Sequence, residues 1–322
     1  MAVFTKINQN DFLKIQNSFN LGKIIKFHGI KKGIENTNYY IEFEKKKTVL
    51  TIFEKRVDSK DLPFFMKLMS GLSKLKIVCP DPIISKKGFF LFKIKNKNAC
   101  LVSFLKGNDK KKLKIEDCLA IGKNIAKLHK ATARLKLKRQ NSLSIRLLPK
   151  LLSKIDKRIN KLSKNLKRQM YYELKNLNKV WPKNLPKGVI HSDLFIDNIF
   201  FFKKKFYGFI DFYFSSTDFY SYELATCINA LCFDRKKSKY ILNKKKSANL
   251  LKGYETIRKL TLNEKKHFNI LCKGSALRYL LTRSYDYLNT PKNALIKIKN
   301  PKEYLQKLNF HKNLYKFKDY LK

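Results

Sequence analysis

His191-Ser-Asp193-Leu-Phe-Ile-Asp197-Asn198, followed by Ile210-Asp211-Phe212, places a carboxylate, a carboxamide and a second carboxylate within one short stretch of a 322-residue chain. That order suits phosphoryl transfer. The first Asp can accept or orient a hydroxyl, while the Asn and the second Asp can hold Mg²⁺ against nucleotide phosphates. A lone H-x-D is common, and its Asp is usually a turn former or a helix cap. The six-residue span from Asp193 to Asn198, with a strand on each side and an Asp ending the second strand, is far more restrictive.

The flanks supply the elements that must position these residues. Lys187–Ile190 is a short apolar run, Ile199–Phe202 a strand, Lys203–Lys205 a turn, and Phe206–Ile210 a second strand. The resulting hairpin is expected to bring Asp193, Asn198 and Asp211 within reach of one metal. Upstream, strands are expected over Lys23–Ile30, Asn38–Phe43, Lys47–Glu54, Gly88–Ile94 and Ala99–Leu105. Helical period marks a short helix at Asn10–Ile15 and a main helix at Leu62–Leu72, with Asp61 as its cap. After Lys106-Gly107 the pattern becomes helical: Ile115–His129, one or two long helices in Leu147–Val180, then Tyr220–Cys232, Ala248–Arg258, Glu264–Leu288 and Pro301–Lys322.

The expected fold is therefore α+β with a protein-kinase-like two-lobe arrangement. Residues 1–105 form an N-terminal nucleotide-binding lobe, an antiparallel sheet with one main helix. Residues 106–322 form a mostly helical catalytic and substrate lobe that carries the hairpin. No activation loop or A-P-E segment follows Asp211, which points to the small-molecule branch of such folds.

Gly29 to Asn38 links the first two strands. Gly33 allows a tight turn, and the backbone N–H groups there, with Asn36, Thr37 and Asn38, can donate to phosphate oxygens. One expected part is missing. Kinases place a Lys in the third strand, paired with a Glu in the next helix. Here Thr51 holds the strand position, and Leu62–Leu72 contains no Glu. Lys47, Lys55 or Arg56 would have to reach the phosphates by another route.

The net charge of +48 alone would suggest nucleic acid or an anionic membrane. Yet only ten of the 72 basic residues are Arg, the residue that nucleic-acid surfaces favour for bidentate contacts, and the lysines are dispersed along nearly every segment. Abundant Lys, Asn, Ile and Phe fit the codon bias of an A/T-rich genome, so neither nucleic acid nor membrane is expected as a partner. None of the six cysteines forms a C-x-x-C pair. No secretory signal and no run of about 18 apolar residues is present, so a cytoplasmic setting is expected.

The chain resembles the homoserine kinases of the aminoglycoside-phosphotransferase-like fold. The likeness runs through Gly33-Ile-Glu-Asn36-Thr-Asn38-Tyr, Leu50-Thr-Ile-Phe-Glu54-Lys55-Arg56-Val, Gly188-Val-Ile-His191-Ser-Asp193-Leu-Phe, Ile210-Asp211-Phe-Tyr213-Phe214 and Ala276-Leu-Arg278-Tyr-Leu-Leu-Thr282-Arg283. On that resemblance Thr51 is a feature of the branch. It implies ATP-dependent phosphorylation of the L-homoserine hydroxyl to O-phospho-L-homoserine, a step toward threonine; monomer and homodimer both stay open. The family's catalytic Asp falls on Asp193, with His191 holding the loop, and its Mg²⁺ ligands fall on Asn198 and Asp211. For the substrate, Arg278 or Arg283 is expected at the carboxylate, Asp218 at the ammonium, and Tyr213 along the wall. Adenine is expected against the connector Ser103, Phe104 and Leu105, and Glu223 is expected to anchor the catalytic loop. The other readings are a kinase for choline, ethanolamine, a fructosamine or an aminoglycoside, or a pseudokinase. Few acids follow Asp211, which disfavours a strongly cationic substrate.

Overall fold

The computed structural model describes residues 4–31, 36–54, 57–290 and 298–321. Gly33, Lys55 and Arg56 lie outside the described residues. The chain divides into two units, Met1–Asn108 with Tyr207–Tyr213, and Asp109–Phe206 with Phe214–Lys322. The segment carrying Asp211 and Tyr213 thus belongs with the N-terminal unit, although the sequence alone assigned it to the helical part.

In the first unit α1 (Gln9–Ser18) starts at a capping box. The Asn8 side chain accepts from the Asp11 amide, and the Asp11 carboxylate accepts from the Asn8 amide. β1 (Ile24–Gly29), β2 (Thr37–Phe43) and β3 (Lys47–Ile52) follow, then α2 (Leu62–Lys74), β4 (Leu91–Ile94) and β5 (Lys97–Ser103). The sheet order is β1-β2-β3-β5-β4, antiparallel throughout. Side chains alternate across it. Tyr39, Ile41, Phe43, Leu50, Ile52 and Leu101 pack with Phe12 and Ile15 of α1, while Asn38, Tyr40 and Thr51 lie on the opposite face.

Two local expectations are corrected. The strand expected from Gly88 begins at Leu91, because Ser85–Phe89 closes a turn in which Gly88 takes φ +83°. Asp61 occupies the N-cap position of α2 without accepting a capping hydrogen bond, while Asp58 caps the short 3₁₀ turn before it.

The second unit contains α3 (Ile115–Leu135), α4 (Leu148–Ser153), α5 (Leu166–Val180), β6 (Lys187–Ile190), β7 (Ile199–Phe202), β8 (Lys205–Phe209), β9 (Ser216–Phe219) and α6 (Tyr220–Leu231). β8 ends inside the segment assigned to the first unit. A hairpin, β10 (Phe233–Lys236) and β11 (Lys239–Leu242), leads to α7 (Lys244–Glu255), α8 (Leu262–Asn289) and α9 (Lys302–Lys312). The long helical stretch expected over Leu147–Val180 is broken by a 3₁₀ turn at Ile159–Lys161 and by Asn165 in the left-handed region at φ +61°. The strand β9 and the hairpin β10-β11 are additions that periodicity did not signal. The last helix stops at Lys312, short of the expected Lys322.

Two glycines set how closely the helices that support the site approach. A Cβ on Gly122 of α3 would stand 1.9 Å from the Leu250 carbonyl oxygen of α7, and one on Gly253 would stand 2.0 Å from that of Leu119. The two backbones therefore touch, and α3 is fixed where its His129 can serve the loop described below. A second core joins α4, α5, α8 and α9 through Leu152, Met170, Leu174, Leu277, Leu280 and Leu308. All six cysteines are buried and free. Among the described residues no helix is long and apolar enough to cross a membrane.

His311 on α9 gives this core a pH signature. Asn229 Nδ2 donates to the Ala225 and Cys272 carbonyls, which leaves its Oδ1 to accept from His311 Nε2 at 2.9 Å. The ring must therefore carry its proton on Nε2, and Nδ1 faces the Tyr320 hydroxyl at 3.0 Å. Burial, with Lys273 and Lys307 nearby, pushes the imidazole down to about 3. A depressed histidine contributes stability that is complete above its unfolded value of about 6.5 and is lost as pH falls through the folded value. The stability advantage of the wild type over His311→Gln should shrink by up to about 1.4 kcal/mol per pH unit between pH 6 and 4.5. Urea unfolding of both proteins across that range checks this, and a pH-independent difference would contradict it.

Candidate active site

β6 delivers the chain into His191-Ser192-Asp193. It pairs antiparallel with β9, Gly188 opposite Asp218 and Ile190 opposite Ser216. Gly188 is required here because a Cβ would stand 2.1 Å from the Tyr220 hydroxyl. Ser192 then takes φ +70°, a strained conformation for a residue with a side chain. Its surroundings hold it there. Glu223 of α6, fully buried, accepts from the Ser192 amide at 2.7 Å and the His191 amide at 3.1 Å. The Ser192 carbonyl accepts from Arg278 Nη1 and the Tyr279 hydroxyl of α8, each at 3.0 Å. The Ser192 and Ser216 hydroxyls lie 2.9 Å apart.

Glu223 is thus the anchor expected for this loop. Behind it stands His129 of α3, with Nε2 at 2.9 Å from Glu223 and Nδ1 at 2.8 Å from the Tyr254 hydroxyl. Burial alone would push the Glu223 carboxyl up. The hydrogen bond and charge of His129, the charge of His191 and the His191 amide outweigh it and hold the group below its ordinary value.

The Asp193 carboxylate is half-buried and oriented at both oxygens. Oδ1 lies 3.2 Å from the Tyr279 hydroxyl, whose one proton it shares with the Ser192 carbonyl, and Oδ2 accepts from Asn198 Nδ2 at 3.3 Å. The same Nδ2 donates to the Asp193 carbonyl at 2.8 Å. The Asn198 nitrogen is therefore committed to Asp193, and its Oδ1 is turned the other way. An amide oxygen so presented, together with an Asp carboxylate, is the hard oxygen set that suits Mg²⁺. Asp211 lies in the first unit at φ +64°, a left-handed residue at the end of β8. Asp193 and Asn198 belong to the second unit.

Other expected site residues are placed as follows. Arg278 is buried, and among the described residues no carboxylate lies within ion-pair distance of it. Its Nε has no hydrogen-bond partner. Burial works against its charge, but Tyr279, Tyr222 and Asp193 raise its pKa above the ordinary arginine value. Arg283 instead pairs with Glu303 at 2.6 Å and lies over the Tyr304 ring. Asp218 already uses both oxygens, accepting from Asn141 Nδ2 at 2.6 Å and the Phe219 amide at 2.8 Å. Burial lifts its carboxyl above the ordinary range despite those donors.

In the first unit the Thr37 hydroxyl donates to Glu54 and accepts from the Phe4 and Thr5 amides, so this side chain braces the N-terminal segment. That corrects the expectation of a phosphate donor there. Lys97 pairs with the same Glu54, and this ion pair bonds Thr5, which precedes α1. Asn36 Oδ1 accepts from the Glu54 amide at 3.4 Å. Tyr213, expected along a substrate wall, packs inside this unit with Phe53 and Phe65 edge-on at 5.0 and 5.8 Å. The Ser103 and Phe104 amides are committed to the Asp81 and Lys47 carbonyls. His28, Tyr40 and Phe104 form an aromatic row on the Thr51 face, with ring centres 4.9 and 5.2 Å apart. Neither that row nor Tyr279 nor His129 was singled out from sequence; strand alternation could have found the row.

Comparison with known proteins adds the family. The model of the phosphotransferase enzyme family (APH) matches residues 26–256. A homoserine kinase of Allorhizobium ampelinum is 42% identical over 97% of this chain and 96% of its own length. The chain belongs to the homoserine kinase family. A second family member, from Agrobacterium fabrum, is 39% identical over 99% of this chain and 98% of its own length. Two solved structures share the fold. An amicoumacin kinase in complex with AMP-PNP and Ca²⁺ has TM-score 0.68 at 15% identity, covering 97% of this chain and 94% of that one. A choline kinase from Cryptosporidium parvum has TM-score 0.65 at 14% identity, covering 89% and 87%. The kinase-like α+β fold expected from the sequence is thus the fold of the family.

Proposed function

We propose that this protein transfers the γ-phosphoryl group of ATP to the side-chain hydroxyl of L-homoserine, giving O-phospho-L-homoserine and ADP. The full-length relationship to homoserine kinases at about 40% identity carries this reading. Asp193 accepts a hydrogen bond from the homoserine hydroxyl and directs its oxygen. The Tyr279 and Asn198 donors hold the carboxylate so that little reorganisation is needed on substrate binding. Asn198 and Asp211 are the residues that would hold Mg²⁺, which would offset charge on the phosphate oxygens.

Arg278 is the better choice than Arg283 for the homoserine carboxylate. A buried guanidinium with no carboxylate partner favours an anion, whereas Arg283 already has Glu303. Asp218, lifted by burial, gains an ionised partner when an ammonium approaches. Adenine stacks near the His28–Tyr40–Phe104 row and takes its backbone bond from Leu105. The setting is cytoplasmic.

The test is a coupled ADP-release assay with homoserine, serine, threonine, choline and ethanolamine as acceptors. Homoserine should give the highest kcat/KM, by about a hundredfold over serine, because a pocket sized for one more methylene and paired at both charged ends discriminates by ~3 kcal/mol. Faster turnover of choline or ethanolamine, or no homoserine-dependent ADP, would refute the assignment.

A further inference from the structure

In most kinases a third-strand lysine brings positive charge to the nucleotide phosphates. Thr51 stands at that position, 3% exposed. It is directly opposite Asn38 on β2 and Cys100 on β5. Its hydroxyl donates to Asn38 Oδ1 at 2.8 Å. Beside it on β5 the Cys100 Sγ lies 3.7 Å from the Tyr213 hydroxyl. A threonine has one hydroxyl proton, and here it is committed to Asn38. The donor pair runs from Thr51 to Asn38 and ends on a carbonyl oxygen. That ending fixes the amide, with Oδ1 toward Thr51 and the two N–H groups turned away from the strand pair.

We propose that Thr51 is a positioning residue that aims the Asn38 amide N–H groups at nucleotide phosphate, a neutral donor in place of the strand lysine. The proposal rests on the kinase reading above. Both members are uncharged by their chemistry, a hydroxyl and a carboxamide. Tyr213 packs against the Phe53 and Phe65 rings and reaches Cys100, which fills the strand position beside Thr51. The arrangement also explains why α2 lacks an acid: with no strand lysine there is no ammonium to hold.

The experiment is calorimetric titration with MgADP, together with initial rates and melting temperatures, on wild type, Thr51→Val, Thr51→Ser and Asn38→Asp. Thr51→Val removes the aiming hydroxyl and keeps the shape. It should weaken MgADP and raise KM for ATP about tenfold, with KM for homoserine unchanged, and Thr51→Ser should restore both. Asn38→Asp still accepts from Thr51 but turns an oxygen toward the phosphates, so MgADP should weaken about a hundredfold with a melting temperature near wild type. A Thr51→Val protein that melts lower yet binds MgADP like wild type would overturn the proposal, as would an Asn38→Asp protein with wild-type MgADP affinity. If Thr51→Val does not fold, Asn38→Asp decides alone. Wild type that fails to bind MgADP ends both the kinase reading and this one. Wild type that binds MgADP but leaves homoserine untouched ends only the substrate assignment, and the titrations still decide the role of Thr51.

Discussion

Asp193→Asn should lower kcat for homoserine about 10³-fold, roughly 4 kcal/mol of barrier, while the protein melts near the wild-type temperature. The substitution is isosteric, so the loop is not asked to move: Glu223, Arg278 and Tyr279 grip the backbone of His191 and Ser192, not the Asp193 side chain alone. What changes is the hydrogen-bond character of one atom. In the wild type Tyr279 and Asn198 each donate to a different carboxylate oxygen. An asparagine amide must set its nitrogen against one of these donors, and whichever way it turns it loses an acceptor. The substrate hydroxyl then has no anionic partner to align it, and the proton released on transfer has no nearby base. KM for ATP should change little, because nucleotide contacts are assigned to other residues. ADP-release rates at saturating substrates, with a melting curve as the folding control, measure the effect. A loss of less than about tenfold in a folded protein would remove Asp193 from the chemistry.

The sequence made much of this legible because the catalytic stretch is local. His191 to Asn198 is one loop between two short strands, and its residue types carry their roles with them. The sheet was legible for a similar reason: alternating apolar residues in β2 and β5 leave few registers open. What escaped was support that arrives from far along the chain. Glu223 was expected at the loop, but His129 behind it and Tyr279 beside it come from two other helices, and no spacing between them announces it. Tyr279 sits beside Arg278 in α8, yet helical neighbours face different directions, and only the packed structure shows both reaching the Ser192 carbonyl. β9 was missed because Ser216–Phe219 is mostly polar; it is a strand because β6 and the Arg139–Asn141 segment pair with it. Thr37 was read as a phosphate donor from its place in a loop, but a buried hydroxyl takes the strongest acceptor near it, and that is Glu54. The same rule explains Tyr213. Sequence placed it beside Asp211, and its phenol found Cys100 and the Phe53 and Phe65 rings instead of open space.

Glu223→Gln should cost about 3 kcal/mol of stability and lower kcat at least about a hundredfold, although Glu223 touches no substrate atom. The carboxylate accepts from three nitrogens, the His191 and Ser192 amides and His129 Nε2. A glutamine keeps one oxygen and must point an NH₂ group at a backbone N–H that is itself fully buried. One donor facing another, with no water able to intervene, loses a charge-assisted bond and leaves a buried amide unsatisfied. Ser192 at φ +70° is the residue least able to absorb the change, since its strain is offset by those bonds. Relaxation there rotates the peptide that presents Asp193, and misplacement of a reacting group by a fraction of an ångström is enough to cost this much rate. MgADP affinity should stay within about threefold of wild type, which separates a damaged loop from a generally loosened protein. The pH dependence supplies a second separation. Because the folded carboxyl is held below its ordinary value, its stabilisation is complete above the unfolded value of about 4.3 and is lost as pH falls through the folded one. The stability gap between wild type and Glu223→Gln should therefore narrow as pH falls below about 4. Urea unfolding across that range measures the gap, and a glutamine variant with wild-type stability and turnover would mean that the loop is held without this carboxylate.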